Sequence, residues 1–526
     1  MLLMLTSKIM LALLNRSDTL PGDVPDSSET SPLSLDVDSL ARDRETFMAE
    51  ILELYRADSA PWVVGYSGGK DSTAVLQLVW YALEKLPVEQ RTKPVHVITT
   101  DTLVENPIVA KWVRTSLELI RTSAQAQKLP FQTHLLHPDL KDTFWVNLIG
   151  RGYPAPRNKF RWCTERLKIH PSNRFIREVV RAHGEVILVL GTRKAESAKR
   201  SATMTRLEKG RVRDRLSPNA SLPRSWVYSP IEAWSNQAVW TYLMTNHNPW
   251  GVSNRSLRTM YKSASADNEC PLVVDTSTPS CGSSRFGCWV CTMVDQDKSM
   301  EAMIENDIEK EWMQPLLDIR NNLDEKHDWD RRDSRRMNGN VQLFKHKVDG
   351  EEVVEPIPGP YLREWRERWL RDVLSAQTQI RKQGPSDVRD ITLISPEELS
   401  EIRRIWREEK HEFNDSLPQI YRETTGEIFK DPRQIINDSL LGTDEWKVLE
   451  EVCANNTTDF ELLAKLLGTE RQFLTTSRRN KVYDALEKCL ETHGRSKDEA
   501  ISHAHQKWEL KKAALEGDVE TVKKLI

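Results

Sequence analysis

Apolar residues fall in short runs separated by longer stretches with helical spacing. Trp62-Val63-Val64-Gly65-Tyr66, Val95-His96-Val97-Ile98-Thr99, Phe131–Leu136 and Val186-Ile187-Leu188-Val189-Leu190 read as strands. Leu40–Tyr55 and Ser72–Leu83 have helical periodicity. Short apolar strands alternating with helices predict an α/β fold, a parallel sheet covered on both faces. Most of the runs end in a polar cluster, and in such sheets ligands bind beyond the carboxyl ends of the strands.

The pattern divides the chain into four. Residues 1–40 form a leader, flexible in its Ser-, Asp- and Pro-rich part, and 41–255 form the α/β domain. Residues 256–345 are a cysteine- and arginine-rich stretch of weak periodicity. Residues 346–526 are a charged helical region in which Trp365, Trp369 and Leu370 recur at helical spacing. No internal repeat is present, and Lys523-Lys524-Leu525-Ile526 carries no helix stop signal.

Composition narrows the class. The 526 residues are 39% hydrophobic and 29% charged, which excludes disordered and membrane-embedded chains. A net charge of −3, from 75 Lys+Arg and 78 Asp+Glu, excludes a uniformly basic nucleic-acid coat but leaves room for a local basic groove. The apolar N-terminal segment is interrupted by Lys8 and has no small-residue cleavage site. No apolar run approaches the ~18 residues of a membrane span, so a reducing cytoplasm and no membrane partner are expected.

The strongest chemical signal is Ser67-Gly68-Gly69-Lys70-Asp71-Ser72, which follows the first strand and opens a helix. Glycines let the backbone approach an anion, and the free amides and dipole of a helix start bind phosphate. Lys70 adds a cation, and Ser67, Ser72 and Thr73 add hydroxyls. Lys70 is followed by Asp71, and Val64 stands where a Walker loop has its first glycine, so that template fails. Asp101, in Thr99-Thr100-Asp101-Thr102 after the second strand, suits Mg²⁺ or ribose contact, or is a solvated cap. Gly191-Thr192-Arg193-Lys194-Ala195-Glu196-Ser197 follows the fourth strand; Arg193 either clamps a phosphate or belongs to a solvated helix start.

Seven cysteines, an odd number and mostly clustered, make a poor disulfide framework. Cys270, Cys281, Cys288 and Cys291 are four soft donors suited to Zn²⁺ or an iron–sulfur cluster. Their single tight pair fits a zinc ribbon poorly. Cys163 stands apart in Arg161-Trp162-Cys163-Thr164-Glu165-Arg166-Leu167-Lys168. Those cations should raise its thiolate fraction, which fits a nucleophile or persulfide carrier. A buried inert thiol, or a cluster ligand in place of Cys270, remain alternatives. Cys453 and Cys489 read as packing residues. Two basic stretches are candidate nucleic-acid contacts or solvated loops. One is Arg206, Lys209, Arg211, Arg213 and Arg215; the other is Arg331, Arg332, Arg335 and Arg336.

The hexapeptide resembles the PP-loop of the ATP pyrophosphatase superfamily. G-T-R-x-x-E-S and the later Pro230/Trp234 segment resemble its PAPS reductase-like branch over roughly residues 45–255. With T-D-T-L-V-E-N-P, R-W-C-T-E-R-L-K and the late cysteines, most of the chain is similar to the DndC-like DNA phosphorothioation sulfurtransferases. That resemblance implies an adenine nucleotide α-hydrolase-like domain and cleavage of ATP, with Mg²⁺, to AMP and pyrophosphate. Ser67, Gly68, Gly69, Lys70, Asp71, Ser72, Asp101, Gly191 and Arg193 would then form the nucleotide site, and Lys70, Asp71 and Cys163 would be catalytic. It also implies a 4Fe–4S cluster on Cys270, Cys281, Cys288 and Cys291. The implied partners are DNA, a cysteine desulfurase as sulfur donor, and DndD- and DndE-like proteins. A sulfonucleotide reductase shares the fold, but this chain has Trp162-Cys163 where those enzymes have adjacent cysteines, and no cysteine follows Cys489. A tRNA thiolase and a non-catalytic nucleotide-binding scaffold are the other readings.

Overall fold

All four residues of the first strand, β1 (Trp62–Gly65), are buried, with Trp62 and Val64 on one face and Val63 on the other. The computed structural model describes residues 34–525, apart from 159, 212, 220, 265–286, 349–350, 434–441, 455 and 475–480. Residues up to Thr46 are a unit of their own, whose described part begins helix α1 (Ser34–Ala57). The second unit, Phe47–Ile526, holds everything discussed below. The helix starts at Ser34 rather than at Leu40, where the periodicity becomes legible.

After β1 come α2 (Lys70–Glu84), β2 (Val95–Thr100), α3 (Pro107–Ala126), β3 (Phe131–Leu136), α4 (His170–His183) and β4 (Val186–Val189). Then follow α5 (Ala198–Glu208), β5 (Ser217–Pro218), β6 (Ser225–Tyr228), α6 (Asn236–Thr245) and α7 (Asn254–Ala264). The sheet order is β3-β2-β1-β4-β6-β5, with all neighbours parallel except the edge pair β5–β6. The chain moves outward from β1 to β3 and then returns to the other side of β1. The carboxyl end of β1 therefore lies at the switch point where an open α/β sheet has its crevice.

Both faces are covered, as the strand pattern predicts. Val75, Leu78, Val79 and Trp80 of α2 and Ile120 of α3 pack on the Trp62/Val64 face. Ile176 and Val179 of α4 pack with Val63, Ile98 and Leu188 on the opposite face. The strand Ser225–Tyr228 carries an apolar run of only three residues, Trp226-Val227-Tyr228, two of them half-buried.

A second large core joins distant stretches of chain. Val104, Trp145 and Trp162 meet Trp289, Leu316, Trp369, Leu370 and Trp406. The helices contributing to it include α8 (Lys298–Asn306), α9 (Gln314–Leu323), α10 (Arg363–Gln383), α11 (Pro396–Arg404) and α12 (Ser416–Thr425). A hairpin, β7 (Leu343–Val348) with β8 (Glu351–Pro356), precedes α10. Beyond α12 the described chain is helical, from Thr443–Cys453 to Val519–Leu525. Cys453 is buried among Phe413, Trp446 and Leu449. Among the described residues no helix is long and apolar enough to cross a membrane.

Candidate functional site

The loop after β1 turns at Gly68, whose φ of +77° lies in the left-handed region. A Cβ there would also lie 2.6 Å from Val113 Cγ2. The Trp112 indole donates to the Gly68 carbonyl at 3.0 Å and fastens the turn to α3. Gly69 is the N-cap of α2 and offers no side-chain cap, so the first amides of the helix are left to other acceptors.

The hydroxyls of the motif brace the loop. Ser67 N–H donates to Ser72 Oγ at 3.2 Å, and Ser72 Oγ donates to the Gly69 carbonyl at 3.0 Å. Thr73 Oγ1, on the first turn of α2, is buried without a hydrogen-bond partner among the described residues. A buried orphan hydroxyl is costly and marks a place where an acceptor belongs. Lys70 is only 1% exposed. Its ammonium lies 3.4 Å from Asp71 Oδ2 and 5.0 Å above the Tyr261 ring. The Lys70 amide donates to the Tyr261 hydroxyl at 3.3 Å.

The segment after β4 closes the other wall. Gly191 passes so close to α2 that a Cβ would meet the Asp71 carbonyl carbon at 2.9 Å. Arg193 is buried; its Nε is paired with Asp71 Oδ1 and its Nη1 donates to the Trp234 carbonyl at 3.2 Å. Arg193 and Asp71 thus lock the two walls together. Asp101, at the end of β2, accepts from the Leu103 amide at 2.9 Å and pairs with Arg114 at 2.7 Å. Asp101 is buried and closes a turn two residues on, whereas the N-cap of α3 is Asn106. Holding Mg²⁺ would require Arg114, which is 59% exposed, to move away.

The loop after β2 continues into the cysteine region. Asn106 N–H donates to Gly287 O at 3.1 Å, and Trp289 N–H donates to Val104 O at 2.9 Å. These bonds lay Gly287–Trp289 antiparallel to Val104–Asn106. Cys291 N–H closes the turn onto Cys288 O at 3.0 Å. Cys288 Sγ lies 3.3 Å from Thr102 Oγ1 and 3.7 Å from Glu105 Oε1, which also holds Lys168 at 3.6 Å. Buried Arg320 donates from Nε to Cys291 O at 3.1 Å.

Cys163 precedes the π-helical turn Thr164–Ile169 and packs, like Cys288, against the second core. Of its neighbouring cations, Arg166 pairs with Asp142 at 2.8 Å and Lys168 with Glu105. The half-buried turn Cys288–Cys291 fits two thiolate donors. Cys270 and Cys281 lie outside the described residues. Among the described residues no group of three or more Cys, His, Asp or Glu is placed to hold a metal ion.

The two basic stretches singled out by sequence are largely tied into the protein. Arg211 pairs with Glu232, Arg213 with Asp58 and Glu185, and Arg215 with Glu53. Arg331 pairs with Glu325 and Arg332 with Asp328, and Arg335 donates to the carbonyls of Thr492 and Arg495. Tyr261, Trp112, Arg114 and Arg320 are site residues that sequence reasoning missed. Each acts across a sequence gap that no local motif reports.

Residues 61–293 match the family model for the phosphoadenosine phosphosulfate reductase domain, from β1 to just past Cys291. A curated relative, an uncharacterized protein of Methanocaldococcus jannaschii, is 27% identical over 205 residues, 38% of this chain. The match spans about a third (35%) of that relative's length. Among solved structures, PAPS reductase from Candida auris in a phosphate complex is 16% identical with a TM-score of 0.26, covering 44% of this chain and 94% of its own. The U34-tRNA thiolase from Methanococcus maripaludis with its 4Fe–4S cluster is 14% identical with a TM-score of 0.26, covering 43% and 73%. FMN adenylyltransferase from Candida glabrata, with FMN and an ATP analogue, is 15% identical with a TM-score of 0.26, covering 42% and 61%.

Proposed function

We propose that this phosphoadenosine phosphosulfate reductase domain of the PP-loop superfamily is the catalytic part of an ATP-dependent sulfurtransferase that makes DNA phosphorothioates. The observation that carries the nucleotide part is the uncapped N-terminus of α2, with the orphan Thr73 hydroxyl on its first turn. Such a helix start binds phosphate through its amides and dipole. Buried Lys70 adds the charge for a terminal diphosphate, and Asp71, held by Arg193, fixes the wall at Gly191.

In this reading a non-bridging oxygen of a DNA phosphodiester attacks the α-phosphorus of ATP, and pyrophosphate leaves. The oxygen now sits on a good leaving group. The outer sulfur of a persulfide on Cys163, the nucleophile and carrier loaded by a cysteine desulfurase, then attacks the DNA phosphorus, and AMP departs with that oxygen. A thiol reductant attacks the Cys163 sulfur and breaks the remaining S–S bond, so Cys163 ends in a disulfide with it and the outer sulfur stays on the DNA. Cys288 and Cys291, with Cys270 and Cys281, would hold a 4Fe–4S cluster, which with a cysteine on every iron would organise this stretch of chain. Asp101 would hold Mg²⁺ in exchange for Arg114. DndD- and DndE-like proteins are the expected partners, in the cytoplasm.

The test is pyrophosphate release from ATP by anaerobically purified protein, with and without DNA. Release that depends on Lys70 and is stimulated by DNA is expected; cleavage to ADP and inorganic phosphate would sink the proposal. The matched family's name favours a second reading, a sulfonucleotide reductase. Sulfite release from PAPS with a dithiol reductant distinguishes it.

A further inference from the structure

A cleft lies beside the Cys163 segment, lined by residues other than those of the nucleotide loop. It encloses about 960 Å³, and its lining includes Gly152, Phe160, Arg166, Arg332, Arg336 and Pro358. A second cleft of about 570 Å³ lies against α4. The two share Glu165 and Arg166, so they adjoin at that point. Together they are lined by ten arginine and lysine side chains and five carboxylates, in a chain whose net charge is −3. Charge concentrated in this way focuses an anion onto the surface.

The residues at the two ends of this path are the least committed. On α4, Arg177 and Arg181 are exposed and make no ion pair among the described residues. With Arg174 they recur at spacings of three and four residues, which places them on one helical face. At the far end the Arg336 guanidinium donates to the Pro358 carbonyl, at 3.0 Å, and has no carboxylate partner among the described residues. Between them the floor changes character. Phe160 is 44% exposed, its ring centroid is 6.4 Å from that of Tyr153, and Met337 is 57% exposed. Arg166 lies 5.2 Å from the Tyr153 ring.

From this geometry we infer that the joined clefts, from Arg336 past Phe160 to Arg177 and Arg181, are a track for one unpaired nucleic-acid strand. The inference rests on the proposed function for its choice of polymer and adds the surface and the strandedness. Cations that follow a backbone, interleaved with exposed aromatic faces, are what a single strand needs: phosphates pair with the arginines and a base stacks on Phe160. An acidic peptide would use the cations but not the ring. A duplex hides its base faces and could use only the arginines. The larger cleft has the size of a small-molecule pocket, enough for a few nucleotides.

The test measures binding of a fluorescent oligonucleotide by anisotropy over a range of salt, single-stranded and as duplex, on the full chain. The wild-type protein should bind the single strand at least tenfold tighter than the duplex. Arg177→Ala with Arg181→Ala should weaken single-strand binding about tenfold or more. It should also flatten the salt slope by about 1.4, at about 0.7 per phosphate contact. Phe160→Ala should weaken binding several-fold with the slope unchanged. Affinity and slope unchanged in the arginine variant, tighter duplex binding, or equal competition by polyglutamate would each overturn the track. Pyrophosphate release from ATP without DNA, measured on the same variants, separates the two claims. If it persists while strand binding is insensitive to the variants, only the track falls. If strand binding follows the variants but ATP is never cleaved to pyrophosphate, the track stands and the proposed function falls.

Discussion

A methyl group on Gly191 would sit 2.9 Å from the carbonyl carbon of Asp71 and 3.0 Å from the Ser72 amide nitrogen. The segment after β4 and the first turn of α2 therefore touch backbone to backbone, a contact only glycine allows. Gly191→Ala must push the two walls apart. The expected result is a folded protein, by circular dichroism, whose ATP affinity is at least tenfold weaker by calorimetry. Arg193→Ala should be worse for stability, because it leaves Asp71 buried without its guanidinium partner. Breaking a buried pair in this way costs about 3–5 kcal/mol, readable as a lower urea midpoint.

Tyr261 is the acceptor for the Lys70 amide, one of the donors a phosphate would use. Its ring also faces the Lys70 ammonium. Removing the hydroxyl alone should free that amide. Tyr261→Phe is expected to tighten ATP binding a few-fold while lowering the stability of the nucleotide-free protein by about 1 kcal/mol, the net worth of one hydrogen bond. Calorimetry and urea unfolding on the same preparation read the two effects.

The residues between Cys288 and Cys291 are anchors. Trp289 is buried with its ring 5.8 Å from Trp145, and Val290 is buried in the same core. Cys288→Ser should abolish bound iron and acid-labile sulfide in anaerobically purified protein, and Cys163→Ser should retain both. Trp289→Ala keeps all four cysteines but removes the anchor, at about 3–5 kcal/mol of stability. It should leave iron below half of the wild-type content. Loss of iron in Cys163→Ser would place that thiol among the ligands.

His96 of β2 and His134 of β3 share a hydrogen bond at 3.1 Å beneath Phe175. Burial, with His134 and His183 nearby, pushes the His96 pKa down to about 4, and burial lowers that of His134 as well. An unfolded histidine titrates near 6.5, so between about pH 4 and 6.5 the unfolded chain binds more protons than the native one. Stability is then fully present above about 6.5 and is lost as the pH falls toward 4. Urea midpoints measured at pH 5 and 7.5 should differ less in His96→Phe than in the wild-type protein.

Local motifs were legible because near neighbours in the chain decide them. β1, β2 and β4 follow from largely apolar runs, and β3 from its apolar ends, Phe131 and Leu135-Leu136. The turn after β1 needs only two glycines between a strand and a helix. The charged hairpin β7–β8 escaped detection because its position in the fold, not an apolar run, makes its strands, and Ser225–Tyr228 because its apolar run is only three residues long.

Charge was where sequence and structure parted. The Arg211–Arg215 stretch reads as a basic patch, yet folding brings Glu232, Asp58, Glu185 and Glu53 to its guanidinium groups. Arg177 and Arg181, scattered through an amphipathic helix, keep exposed heads beside a cleft. By itself the sequence determined the alternating α/β order and the glycine turn between the first strand and its helix. Tertiary structure alone decided that Arg193 goes to Asp71, that the Cys288 turn lies along Val104–Asn106, and which arginines face solvent. The reason is that backbone turns answer to adjacent residues, whereas an ionic side chain takes whatever partner the fold carries to it from far along the chain.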